Sequence, residues 1–231
     1  MGPSDRRAFR TLDTYNVNMP GQKRPSNTTV IALLNRYQCP TPFHAVRTRF
    51  MGTIASPLLD RSPLNVIHEI WGGELPPFDT VEGVNNLLDV LMTGLWNPLT
   101  AHQIESKPFK LTRFKIKQTR EGLNHYALVR KQEIEGFMDG LFGSQEEIDL
   151  PESARDGVGV LGEMRSMLAG AITLLDDPGL PAAAEDLKGL SDNLQALAMI
   201  LEKEMNIVLL SCTRARKQVP ADGWQSEPTV H

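Results

Sequence analysis

Two cysteines, Cys39 and Cys212, are the only thiols in a chain of 231 residues. That excludes a disulfide framework and a four-thiolate zinc site, and a reducing cytoplasm is the expected setting. Uninterrupted apolar runs last only a handful of residues, short of the roughly 20 that cross a bilayer, so no membrane association is expected. Met1–Arg10 carries charges with no apolar stretch behind them, so no secretory signal is expected either. The five histidines (His44, His68, His102, His125 and His231) never stand three or four residues apart, so helix-borne metal ligation has no local support. There is no P-loop. Gly157–Gly162 matches the letters of a dinucleotide-binding turn, but it opens no helix after a strand, and Asp156 beside it would repel phosphate. No catalytic residue, metal or cofactor is therefore nominated. An enzyme could arise only if scattered residues such as His68, Glu69, His102 and His125 met in a cleft.

What is present is globular: 41% hydrophobic and 23% charged residues. A chain of this size buries about 70% of its unfolded surface, enough for a core without staples. The net charge of −4 conceals segregation. Residues 1–61 carry +6, 62–106 carry −6, 107–131 carry +7 and 132–213 carry −12. Such blocks either meet inside one molecule or form separate faces for partners.

The pattern along the chain is helical. Residues 1–27 read as a disordered basic arm, 28–218 as one helical domain and 219–231 as a loose tail. Val30, Ile31, Leu33, Leu34 and Tyr37 mark a short helix. Thr41-Pro42 reads as an N-cap and first helical position ahead of Phe43, Val46, Phe50 and Ile54. Ser62-Pro63 repeats that grammar. Asp79–Glu82 reads as a capping box, and Asn97-Pro98 should end or kink the helix it opens. Lys107–Gln118 alternates like a strand with a slip, or is an extended loop over helices. Thr119 caps a long helix near whose end Gly136, Gly140 and Gly143 either admit a second backbone or serve as a cap. Ser153 reads as the next N-cap. Leu161–Leu175 and Leu187–Val208 then carry helical stripes joined by Asp176–Pro181, an antiparallel hairpin. The expected fold is all-α, a single bundle of six to seven helices ending in that hairpin.

Three features are candidates for function. Lys107, Lys110, Arg113, Lys115, Lys117 and Arg120, interleaved with Phe109 and Phe114, suit phosphates and unpaired bases; alternatively the rings are buried and the cations meet the acidic half. Gly136, Phe137 and Gly140, with the acidic loop Glu146, Glu147 and Asp149, suit a protein partner. Met138, Met164, Met167, Met199 and Met205 belong to a core by default and to a dimer or peptide surface otherwise. Glu135 and Asp139 share a helix face, and both cysteines read as structural.

Two segments carry a resemblance. Phe78–Trp96 (FDTVEGVNNLLDVLMTGLW) is a capped helix ending in a small-residue turn. Glu133–Pro151 (EIEGFMDGLFGSQEEIDLP) sets an aromatic between glycines ahead of an acidic loop. Both resemble the YgfB/YecA-like bacterial proteins, and Tyr37–Phe50 looks like a feature of one proteobacterial branch. The likeness spans roughly 28–217. It implies an all-helical fold, self-association, a cytoplasmic setting and no established enzymatic activity. Some members end in a cysteine-rich zinc-binding tail, which this chain lacks, since no cysteine follows Cys212. The combined expectation is a non-enzymatic protein-interaction or regulatory module that forms a homo-oligomer, with nucleic-acid binding through the basic Lys107–Arg120 stretch and the Met1–Arg24 arm as the alternative.

Overall fold

The computed structural model describes residues 24–58, 61–179 and 183–218; most of the expected arm and all of the expected tail lie outside them. The described residues are helical, with no strand among them. α1 (Asn27–Arg36) opens on Ser26, whose hydroxyl accepts from the Thr29 amide, and buries Val30, Leu33 and Leu34. α2 is Phe43–Ala55, α3 is Pro63–Glu69 and α4 is Val81–Leu91. A π-helical turn at Met92–Trp96 leads into α5 (Asn97–Thr100) and a short 3-10 turn at Ala101–Gln103. α6 (Arg120–Phe142), α7 (Glu152–Asp176) and α8 (Ala184–Gln218) supply most of the length.

Several local expectations shift by a residue or two, each for a tertiary reason. Pro42, not Thr41, occupies the N-cap of α2. Thr41 donates its hydroxyl to the Ile70 carbonyl (2.9 Å) instead, tying the start of α2 to the end of α3. Thr80, not Asp79, caps α4 by accepting from the Gly83 amide. Phe78 is seated on Tyr37, with ring centroids 4.9 Å apart, and the chain turns into the helix just beyond it. Pro151 precedes α7, and Ser153 is spent on Ser211 of α8, 2.7 Å away. Pro98 removes the amide that would bond back to Gly94, and the helix absorbs the loss in the wide π turn rather than ending. Ser62 and Thr119 cap as the sequence implies.

The centre of the molecule is the crossing of α2 on α6. Glycines on both helices allow it. A Cβ on Gly52 would lie 2.0 Å from the Phe137 carbonyl oxygen. One on Gly136 would lie 2.4 Å from that of Ala45, and one on Gly140 2.0 Å from that of Arg49. The backbones therefore touch, and Thr53 donates across the seam to the Gly140 carbonyl. Phe50, Met51, Ile134, Phe137 and Leu141 fill the flanks and are fully buried. Gly143 caps α6 in the left-handed region (φ +60°).

α7 and α8 run antiparallel. Ser153, early in α7, meets Ser211, late in α8, and Gly157 sits over Val208. Helix ends are capped by side chains from elsewhere. Arg216 of α8 donates to the carbonyls of Ile54 and Ser56, closing the end of α2. Arg120 donates to those of Leu175 and Asp177 at the end of α7.

Gly140→Ala is expected to force α2 off α6 and cost about 1–3 kcal/mol or more through overpacking. Gly159→Ala, on an α7 position with open space around it, should instead stabilise by roughly 0.5–1 kcal/mol. Chemical denaturation of the two variants side by side checks both.

Candidate functional site

Between the 3-10 turn and α6 the chain makes a tight turn at Ile104–Lys107 and then crosses the bundle without helix or strand as a strap, the whole segment being residues 104–118. Side chains from three helices hold its backbone. Asn206 of α8 both accepts from the Phe109 amide (2.8 Å) and donates to its carbonyl (3.0 Å). Arg47 of α2 donates to the Lys110 carbonyl (2.7 Å). Glu202 of α8 accepts from the Leu111 amide (3.0 Å), and Glu133 of α6 from the Thr112 amide (3.0 Å). Arg130 donates to the Thr112 carbonyl (2.7 Å) and pairs with Glu133 in full burial. Three rings complete the clamp: Arg47 lies 4.4 Å from the Phe109 centroid, and Arg130 lies over Phe114 and Tyr126. Burial lowers the Arg47 pKa below the ordinary guanidinium value, opposed by Glu133 and Glu202.

This geometry accounts for much of the basic stretch. Lys110 and Arg113 pair with Glu202 at 2.9 and 2.8 Å, and Arg120 caps α7. Phe109 is buried, and Phe114 is half-buried against His125, Tyr126 and Arg130. Lys107, Lys115 and Lys117 are exposed, and their side chains form no ion pair or hydrogen bond among the described residues. Here the acidic and basic blocks meet inside one molecule.

The residues expected to meet a partner divide. Gly136, Phe137 and Gly140 are buried in the α2–α6 crossing, so they serve the core and are withdrawn from the proposed recognition surface. Glu146, Glu147 and Asp149 are exposed on the α6–α7 loop, with Asp149 3.8 Å from Arg155. The histidines do not converge. His44 bonds Gln132, His102 the Lys107 carbonyl, and His125 lies against Phe114, while Glu69 is engaged by Arg61. Among the described residues no three His, Cys, Asp or Glu side chains group as a metal site. Gly157–Gly162 lies inside α7. Burial raises the Cys39 thiol and pushes Cys212 up to about 11 despite Arg216, which leaves both protonated at neutral pH.

A shallow cleft beside α2 and α6 is divided by the Arg49–Asp139 bridge (2.7 Å). Its two arms measure about 210 and 310 Å³. Arg49 also donates to the Glu69 carbonyl, and Arg61 grips Glu69 with both terminal nitrogens. The cations and carboxylates pair with one another, while the buried Nε atoms of Arg49 and Arg61 have no hydrogen-bond partner among the described residues. Burial raises the Asp139 carboxyl above its usual range, more than Arg49 lowers it.

Exposed large apolar side chains are most numerous on the terminal hairpin, with Leu64, Val81 and Ile104 among those exposed elsewhere. α7 is long and apolar enough to cross a membrane by length and composition, and 22% of the relevant 18-residue window is buried. Glu163 and Arg165 interrupt it, which is why a search for uninterrupted apolar runs misses it. The methionines sort accordingly: Met164 and Met205 are buried, while Met167 and Met199 are 57% and 73% exposed. Leu174 at 60% and Ile200 at 44% join them. Met167 and Leu174 stand off the Leu161–Met164–Leu168–Leu175 stripe, a phase difference that a helical wheel would reveal.

Glu133→Ala should strand a buried guanidinium, cost about 3–5 kcal/mol and loosen the strap; urea titration with limited proteolysis within residues 104–118 measures both. Asp139→Asn tests the cleft. An acid raised in the folded state binds protons more tightly there, so that group's contribution to stability falls as pH rises through its titration range. The Tm of the unsubstituted protein minus that of Asp139→Asn should therefore fall on going from acid to neutral pH.

Comparison of the chain with protein-family models, with curated proteins and with solved structures finds no match.

Proposed function

We propose that the chain is a non-enzymatic, cytoplasmic protein-interaction module that self-associates. One observation carries it: Met167, Leu174, Met199 and Ile200 are exposed on α7 and α8, four of the nine large apolar side chains exposed among the described residues. Contiguous exposed apolar surface of this kind marks protein interfaces, and methionine suits a surface that must adapt to another. Kinship with the YgfB/YecA-like proteins belongs to the same proposal and would carry the same setting. Within the basic stretch the nucleic-acid alternative keeps Lys107, Lys115 and Lys117 as cations without an ion pair among the described residues; the Met1–Arg24 arm it also invokes lies almost wholly outside them. Three phosphate contacts from the stretch would give a salt slope of about −3.

The test is affinity capture from nuclease-treated lysate of the source organism, with the unsubstituted chain and Met167→Asp as paired baits. Loss of bound proteins from the variant, at unchanged thermal stability, is expected. Identical captures would remove the hairpin surface from the proposal, and captures abolished by nuclease would move it to Lys115 and Lys117.

A further inference from the structure

We infer that residues 113–117 of the strap are an open edge that takes an extended acidic segment of a partner protein as an added strand.

Residues 108–117 run without helix, turn or bend. From 113 onward exposure alternates: Arg113, Lys115 and Lys117 are exposed, while Phe114 and Ile116 are half-buried and packed on the core. A period of two is that of an extended chain with one face seated. The two halves of the strap differ in how their backbone is met. Residues 109–112 are held by Asn206, Arg47, Glu202, Glu133 and Arg130. The amides of 113–117 and the carbonyls of 113–116 make no hydrogen bond among the described residues. The edge ends at the Lys117 carbonyl, which lies against Gly122 at the start of α6. An unpaired extended edge is a template on which another chain adds a strand, main-chain bonds giving affinity and alternate side chains specificity.

Charge selects the occupant. Lys115 and Lys117 form no ion pair among the described residues, and Glu121, the acid nearest them in sequence, is bound to neither. Arg113 and Lys110 share one carboxylate, that of Glu202, so this group also stays positive. Side chains two apart on an extended chain stand about 6.5–7 Å from each other, the spacing of alternate residues on a facing strand. Carboxylates at alternate positions of the added strand therefore come opposite Arg113, Lys115 and Lys117, and such cross-strand pairs stabilise. The strap of a second copy is excluded, because it would set cation against cation. Nucleic acid offers phosphates but no ladder of donors and acceptors in strand register. Nor is Phe114 free to stack on a base, being packed against His125, Tyr126 and Arg130. The edge shares no residue with Met167, Leu174, Met199 and Ile200, and serves a partner independently of them.

The test uses the purified full-length chain and a fluorescein-labelled octapeptide alternating Glu and Val. Fluorescence anisotropy should show saturable binding, weakened about tenfold or more when Gln replaces Glu in the peptide. Combining Lys115→Glu with Lys117→Glu should weaken it by a similar factor at unchanged thermal melting, since both side chains are exposed. In hydrogen exchange, amides within 113–117 should gain about tenfold protection when peptide is bound, which strand pairing gives and charge attraction alone does not. Binding without that protection, or binding indifferent to the double variant, would overturn the inference. So would tighter binding of a single-stranded oligonucleotide of equal charge, and so would no peptide binding at millimolar concentration. A peptide-free dimer whose 113–117 amides are already protected would give the edge to a second copy and overturn it as well. Met167→Asp should leave the peptide affinity unchanged, so failure here leaves the hairpin reading in place, and failure of the hairpin reading leaves this edge.

Discussion

The fold depends on the approach of α2 to α6 at backbone contact. Gly52, Gly136 and Gly140 remove the side chains that would hold the helices at ordinary separation, where axes stand 8–10 Å apart. That closeness has consequences outward. It buries Phe50 and Phe137 completely and lets Thr53 bond across the seam. It also brings Arg49 onto Asp139 and Arg61 onto Glu69 beside it. The glycines forgo helix propensity at these positions and recover it through dispersion and burial at the crossing.

A second constraint is polar. The strap has no sheet to pair with, so its buried amides and carbonyls must be met by side chains. Asn206, Arg47, Glu202, Glu133 and Arg130 meet those of residues 109–112 from three different helices. Each charged group is compensated: Glu133 by Arg130, Glu202 by Lys110 and Arg113. Part of the segregated charge in the chain thus becomes paired charge in the fold. Met167, Leu174, Met199 and Ile200 stay exposed on the hairpin, and that apolar exposure underlies the functional proposal.

Helices were legible wherever apolar spacing was regular, as at Val30–Leu34, Leu161–Leu175 and Leu187–Val208, because burying one face requires that period. Caps were legible when the capping side chain had no competing partner, as with Ser62 and Thr119. They shifted where a tertiary partner competed: Thr41 went to Ile70, and Ser153 went to Ser211. The functional side was less legible. Gly136, Phe137 and Gly140 have the composition of a recognition loop and of a helix crossing alike, and only the presence of α2 distinguishes the two. Met164 and Met167 are chemically identical and three residues apart, yet one is core and the other surface.

Local physics, acting through residue order, sets the all-helical class, the terminal helical pair and the strap's extended backbone, since spacing, capping hydroxyls and prolines act within a few residues. Which glycines touch, which cations are spent on Glu202, which thiol is sealed and which methionines face outward follow from long-range packing. Those outcomes depend on residues some 90 positions apart meeting, as Phe109 meets Asn206. A linear pattern records what each residue can do, while the folded neighbourhood decides which of those capacities is used up and which is left for another molecule.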